Sequence, residues 1–150
     1  MSPGFSHIRY FKPEEFPPGE LPLADQKILC ALDAYREILG RRIMPSPVSG
    51  ALARPDAGAK GSRHYAIGRQ SDAVDCFPSG NIADAWRVAV MSGLFGGIGY
   101  YLDTMPGPML HLDLRPERIW WARIKGEYYY PVQAGLHRET FFRGLASSSI

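Results

Sequence analysis

The run Met109-Leu110-His111-Leu112-Asp113-Leu114 alternates apolar and polar residues with the period of a β-strand. Leu110, Leu112 and Leu114 share one face, which is core-forming, and His111 and Asp113 share the other. Two readings of that second face are open. It is either the floor of a polar cleft or the solvated side of an antiparallel sheet.

Strand-like runs surround this one. Ile98–Tyr101 precedes it, Ile119–Ile124 and Tyr128–Tyr130 follow, and turn residues separate them. Upstream, Asp72-Ala73-Val74-Asp75-Cys76-Phe77 reads as a strand stopped by Pro78, and Arg42–Val48 as an edge strand interrupted by Pro45 and Pro47. Ile28, Leu29, Leu32, Tyr35, Ile38 and Leu39 recur at helical spacing, so a helix is expected over residues 25–39, ended by Gly40. Asn81 is placed to cap a second helix over Ile82–Met91, which ends near Gly93. Helices first and strands later, without βαβ alternation, predict an α+β fold with a largely antiparallel sheet flanked by helices.

The chain has 150 residues, the size of one domain, so residues 1–150 are read as a single unit. Residues 1–20 form an arm expected to dock on it, and residues 145–150 a frayed tail. Hydrophobic residues at 45% and charged residues at 21% exclude general disorder. A net charge of +2 gives no reason to expect nucleic acid. No apolar run is long enough for a membrane span, so no membrane insertion is expected. The first 20 residues lack the apolar core of a signal peptide, which predicts synthesis in the cytoplasm. Cys30 and Cys76 form no CxxC pair, so a thiolate zinc knuckle and a redox motif are both excluded. The 16 glycines and 13 prolines predict short elements and long loops. The longest loop, residues 49–63, leads directly into His64.

His64, in this glycine-rich stretch, is followed by Asp75 on a strand, and His111 lies on another strand. Two imidazoles and one carboxylate are the donors zinc takes when one position stays free for water, the arrangement of reactive sites. Sequence does not show whether they converge. The spacing is not HExxH, which excludes the helical zinc-protease arrangement.

Ser62-x-His64, with Ala73-Val74-Asp75 at its end, resembles the S-x-H-x-x-G-x-A-x-D motif of the M15 family of zinc peptidases. That family comprises D-Ala-D-Ala carboxypeptidases and murein endopeptidases of hedgehog-like fold. Gly96-Gly97-Ile98-Gly99-Tyr100-Tyr101 followed by His111-Leu112-Asp113 is similar to the G-G-V-G-Y-Y…H-x-D run of its endopeptidase branch. Tyr10-Phe11-Lys12-Pro13-Glu14-Glu15-Phe16 resembles the arm opening many small phage and bacterial members, and Ser49-Gly50 the start of an S-G-Y-R turn.

The resemblance implies a zinc peptidase acting on peptidoglycan stem peptides or cross-links, monomeric, and of the kind that phages release onto the cell wall as lysis enzymes. His64, Asp75 and His111 are the implied metal ligands, and Arg54, Ser62 and Tyr100 the implied substrate contacts. Three departures stand out. Asp75 follows His64 by eleven positions where the family has seven, which leaves Asp72 as a rival ligand; Asp75 is preferred because it keeps the A-x-D register. The arginine after Ser49 comes only at Arg54, and the family's general-base position, three before the second histidine, is Pro108. The base then falls to Asp113, which is read equally as an orienting partner of a ligand imidazole, or to Asp103. Tyr65, Tyr100, Tyr101, Trp120 and Trp121 are divided between cleft wall and core. The competing function is a non-catalytic hedgehog-like binding protein or virion component.

Overall fold

Asp25 adopts extended backbone and accepts the amide of Lys27, opening helix α1, Gln26–Leu39. Gly40 closes it in the left-handed conformation at φ 70°. Asn81 and Gly93 bracket α2, Ile82–Ser92, in the same way. The coordinates, a computed structural model, describe residues 3–147.

Six strands form one sheet: β1 Ile43–Pro45, β2 Ala73–Pro78, β3 Gly97–Tyr101, β4 Met109–Asp113, β5 Ile119–Ile124 and β6 Glu127–Tyr129. Their spatial order is β1-β2-β4-β3-β5-β6, which puts the proline-bearing β1 at an edge as its sequence requires. Every pair is antiparallel except β3 and β5. That exception arises because the link after β4 crosses the start of β3 to reach its far side. The carbonyls of Arg115 and Glu117 pass where a side chain on residue 96 would stand, so only Gly96 admits the crossing. Lys125 and Gly126, both at positive φ, make the two-residue turn from β5 to β6.

One face of the sheet carries Val74, Cys76, Ile98, Tyr100, Leu110, Leu112 and Ala122, all at most 1% exposed. It belongs to the same core as Ile28, Leu32 and Tyr35 of α1 and Ala85, Trp86 and Ala89 of α2. A third helix, α3, Leu136–Ser147, completes that core with Phe141 and Leu145. This corrects the frayed tail expected from residue 145: Leu145 is buried and the helix continues to Ser147, while residues 148–150 lie outside the described residues. Gly144 lies against the Tyr100 hydroxyl, where any side chain would collide.

The arm brings Phe5, Phe11 and Phe16 into the core as edge-to-face rings. The buried Asp33 of α1 accepts the amides of Arg9 and Tyr10. Among the described residues no helix is long and apolar enough to cross a membrane.

Candidate metal centre

The register of β2 against β4 sets Asp75 directly opposite His111, and alternation turns both away from the helices. His64 reaches them from the loop between β1 and β2. That loop is ordered by its own polar groups: the Ser62 hydroxyl accepts the His64 amide at 3.1 Å, and Arg54 donates its amide to the His64 carbonyl at 2.7 Å. Asp72 is taken up by the Arg63 guanidinium, which closes the loop around the additional residues. Asp72 is therefore held away from the cluster, and Asp75 is the carboxylate that joins it.

Three donor atoms converge. His64 Nε2 lies 3.2 Å from His111 Nδ1, and Asp75 Oδ1 lies 3.3 Å from the first and 3.1 Å from the second. The outer ring nitrogens assign the tautomers. His64 Nδ1 faces the Leu52 carbonyl at 3.3 Å and His111 Nε2 faces Asp113 Oδ2 at 2.8 Å, both pure acceptors, so these nitrogens carry the protons. When neutral, each ring so oriented directs its remaining lone pair inward, beside a carboxylate oxygen. Three lone pairs this close repel unless a cation lies among them. The cluster is thus able to hold a metal ion, and among the described residues no other group of histidine, cysteine, aspartate and glutamate does so.

The electrostatics carry the same demand. Burial disfavours a charge on His111, yet hydrogen bonds to Asp113 and Asp75 outweigh it and hold its pKa up at about 9. Burial likewise works against ionised Asp75, but His111 and His64 hold its carboxyl well below the usual range. A proton on His111 neutralises the cluster where a metal ion would otherwise do so.

Asp113 stands on the opposite side of the His111 ring from the cluster and is fully buried. Arg115 grips it through Nε at 2.8 Å and Nη2 at 2.6 Å, and the Gly97 amide adds a bond at 3.1 Å. Both oxygens are occupied and neither meets solvent. Of the two roles open to Asp113, general base and orienting partner, its position is that of the orienting carboxylate.

The glycines of β3 make room for this arrangement. A side chain at residue 97 would strike the Asp113 carboxylate, and one at residue 99 the Trp121 indole. Trp121 covers His111 at 5.1 Å between ring centroids, carries the Arg115 guanidinium over its ring at 5.1 Å from the centroid, and donates Nε1–H to the Tyr101 hydroxyl at 3.1 Å.

A cleft of about 690 Å³ opens above the cluster, and His64, Asp75, His111, Arg54, Ser62 and Tyr101 all line it. Arg54 lies there too, and among the described residues its side chain is paired only with the exposed Asp56 at 3.6 Å. Ser62 borders the cleft while its hydroxyl serves the turn before His64. Tyr100 is a correction: it is 0% exposed and donates its hydroxyl to the Phe141 carbonyl in the core. Strand parity decides this, since Gly97, Gly99 and Tyr101 share the face of His111 and Tyr100 does not. Asp103 is occupied by Arg123 and the Gly126 amide. Trp120 packs on Trp86 at 5.2 Å, and Tyr65 stacks with Arg69. Sequence reasoning missed Arg115 and Glu20; the only signal for Arg115 was its position just beyond Asp113.

A scan of protein-family models and searches of curated proteins and of solved structures find no match to this chain.

Proposed function

We propose that this chain is a zinc-dependent peptidase of hedgehog-like fold that hydrolyses peptidoglycan stem peptides or cross-links, a lysis enzyme made in the cytoplasm and acting on the cell wall. One observation carries the reading: two imidazoles and one carboxylate converge at 3.1 to 3.3 Å beneath an open cleft. Donors about 2.0 to 2.1 Å from a tetrahedral zinc stand roughly 3.3 to 3.4 Å apart, close to this spacing. Two nitrogens, one oxygen and no thiolate form the set of a reactive site, with one position left toward the cleft.

Zinc bound there supplies Lewis acidity, making a water molecule acidic and a peptide carbonyl electrophilic. The residues of the chain do the rest. Leu52 and Asp113 hold the two imidazoles in the tautomers that aim their lone pairs inward. Trp121 covers one side of His111 and limits its access to water. Arg54 is placed to hold a substrate carboxylate at the cleft wall.

A second reading is supported by a different observation. Among the residues lining the cleft Asp75 is the sole carboxylate, so the wall offers no further carboxyl group as general base. A metal-holding binding protein or virion component needs none. Mass spectrometry of murein sacculi incubated with wild type and with His111→Ala separates the two. New peptide ends with wild type alone, together with one zinc per chain in the purified protein, establish the peptidase. Intact sacculi with zinc bound favour the binding protein.

A further inference from the structure

We propose that Glu20, at the end of the N-terminal arm, is a positioning residue for both His64 and Asp75, acting through two consecutive peptide planes. The proposal rests on reading the cluster as a metal centre. Glu20 is only 7% exposed, and among the described residues its carboxylate meets no cationic side chain; it accepts three backbone amides, Gly50 at 2.8 Å, Leu52 at 3.1 Å and Ala53 at 2.8 Å. The opposite ends of the same peptide units face the site. In the unit joining residues 51 and 52, the N–H of Leu52 donates to Glu20, and the Ala51 carbonyl accepts the Asp75 amide at 2.9 Å. In the next unit, the N–H of Ala53 donates to Glu20, and the Leu52 carbonyl lies 3.3 Å from His64 Nδ1.

A peptide unit is planar and stiff, so anchoring its N–H fixes the direction of its carbonyl. A carboxylate on the N–H also polarises the amide, which strengthens the carbonyl as an acceptor. Glu20 thereby favours the tautomer of His64 with its proton on Nδ1 and its lone pair toward Asp75 and His111. Asp113 does the same for His111 by direct contact. The two ligand histidines are supported by two buried carboxylates, one touching its ring and one acting across a peptide bond. Removing outer partners of metal ligands costs 10- to 100-fold in metal affinity.

The test uses the full chain and zinc alone, with affinity measured by competition against a chromophoric chelator. Glu20→Gln keeps the shape and loses the charge; it is expected to bind zinc about 10-fold or more weakly. Nitrogen-resolved NMR of the histidine rings in the metal-free protein is expected to show His64 protonated at Nδ1 in wild type and in mixed tautomers in Glu20→Gln. Asp33→Asn is the control, because it removes the charge that holds the Arg9 and Tyr10 amides and so loosens the arm without touching residues 50–53. Equal loss of zinc affinity in Asp33→Asn reduces the effect to general docking of the arm and overturns the proposal. Wild-type affinity and tautomer in Glu20→Gln overturn it as well. Should Glu20→Gln fail to fold, hydrogen exchange of wild type decides: zinc must increase protection of the Leu52 and Ala53 amides, and unchanged protection refutes the coupling. A wild type that binds no zinc defeats the metal reading itself, and the tautomer comparison then still decides the role of Glu20.

Discussion

Asp75 and His111 stand directly opposite each other on neighbouring antiparallel strands, with Asp75 Oδ1 3.1 Å from His111 Nδ1. Their placement depends on ladder register, so neither side chain needs a flexible loop to reach the cluster. His64 alone is delivered by loop structure.

Losing either strand ligand should therefore empty the centre without unfolding the sheet. His111→Ala and Asp75→Asn are expected to bind zinc more weakly by more than the roughly 100-fold upper cost of an outer partner. Calorimetric titration with zinc measures this, and circular dichroism checks the fold. Near wild-type binding in both variants would remove these residues from the ligand set.

Asp113→Asn tests the orienting carboxylate. Asparagine keeps an acceptor for His111 Nε2 but loses the charge that pairs with Arg115, so zinc affinity should fall about 10- to 100-fold. Unchanged affinity with lost turnover would restore Asp113 to the role of base.

The metal-free protein should lose stability as the pH rises from about 6.5 to 9. His111 has its pKa raised from 6.5 to about 9 on folding, so its stabilising contribution is complete below 6.5 and vanishes through 9. Asp75 and Asp113 are depressed from 3.8, so their contribution is complete above 3.8 and declines at more acidic pH. Thermal melts of metal-free protein should peak between these limits. Zinc must displace the His111 proton, so its affinity should rise with pH toward 9. A melting temperature independent of pH between 6.5 and 9 would contradict the coupling.

Gly99→Ala should be destabilising by about 1 to 3 kcal/mol, the usual cost of overpacking. Its methyl group would meet the Trp121 indole and push it off His111. Urea unfolding gives the energy, and altered tryptophan fluorescence would report the displaced ring.

Phe141→Ala should cost about 3 to 5 kcal/mol, as expected for a large aromatic removed from a core. Phe141 is 0% exposed and packs against Trp86 and Tyr100. A loss below about 1 kcal/mol would mean that α3 is dispensable to the core.

Elements with strong local signals were legible before folding. The period of α1, its glycine stop, the cap of α2 and the alternation of β4 all depend on residues within a few positions of each other. Helix α3 was not legible, because its apolar residues are sparse and Gly144 interrupts them; its burial comes from Tyr100 and Ile124 on distant strands. The parallel pairing of β3 with β5 was equally hidden, since it turns on a backbone crossing over Gly96.

At the candidate centre, residue chemistry and strand parity alone determined that His111 and Asp113 share a face and that His64, Asp75 and His111 form a donor set suited to a metal. Only tertiary structure decided that the three donors meet, that Asp72 goes to Arg63, and that Asp113 lies behind His111. It also put Tyr100 in the core and tied Glu20 to the ligand loop. The physical reason is the range of the interactions. Alternation is a property of one strand, whereas convergence requires ladder register and loop closure between residues 47 and 11 positions apart in the chain.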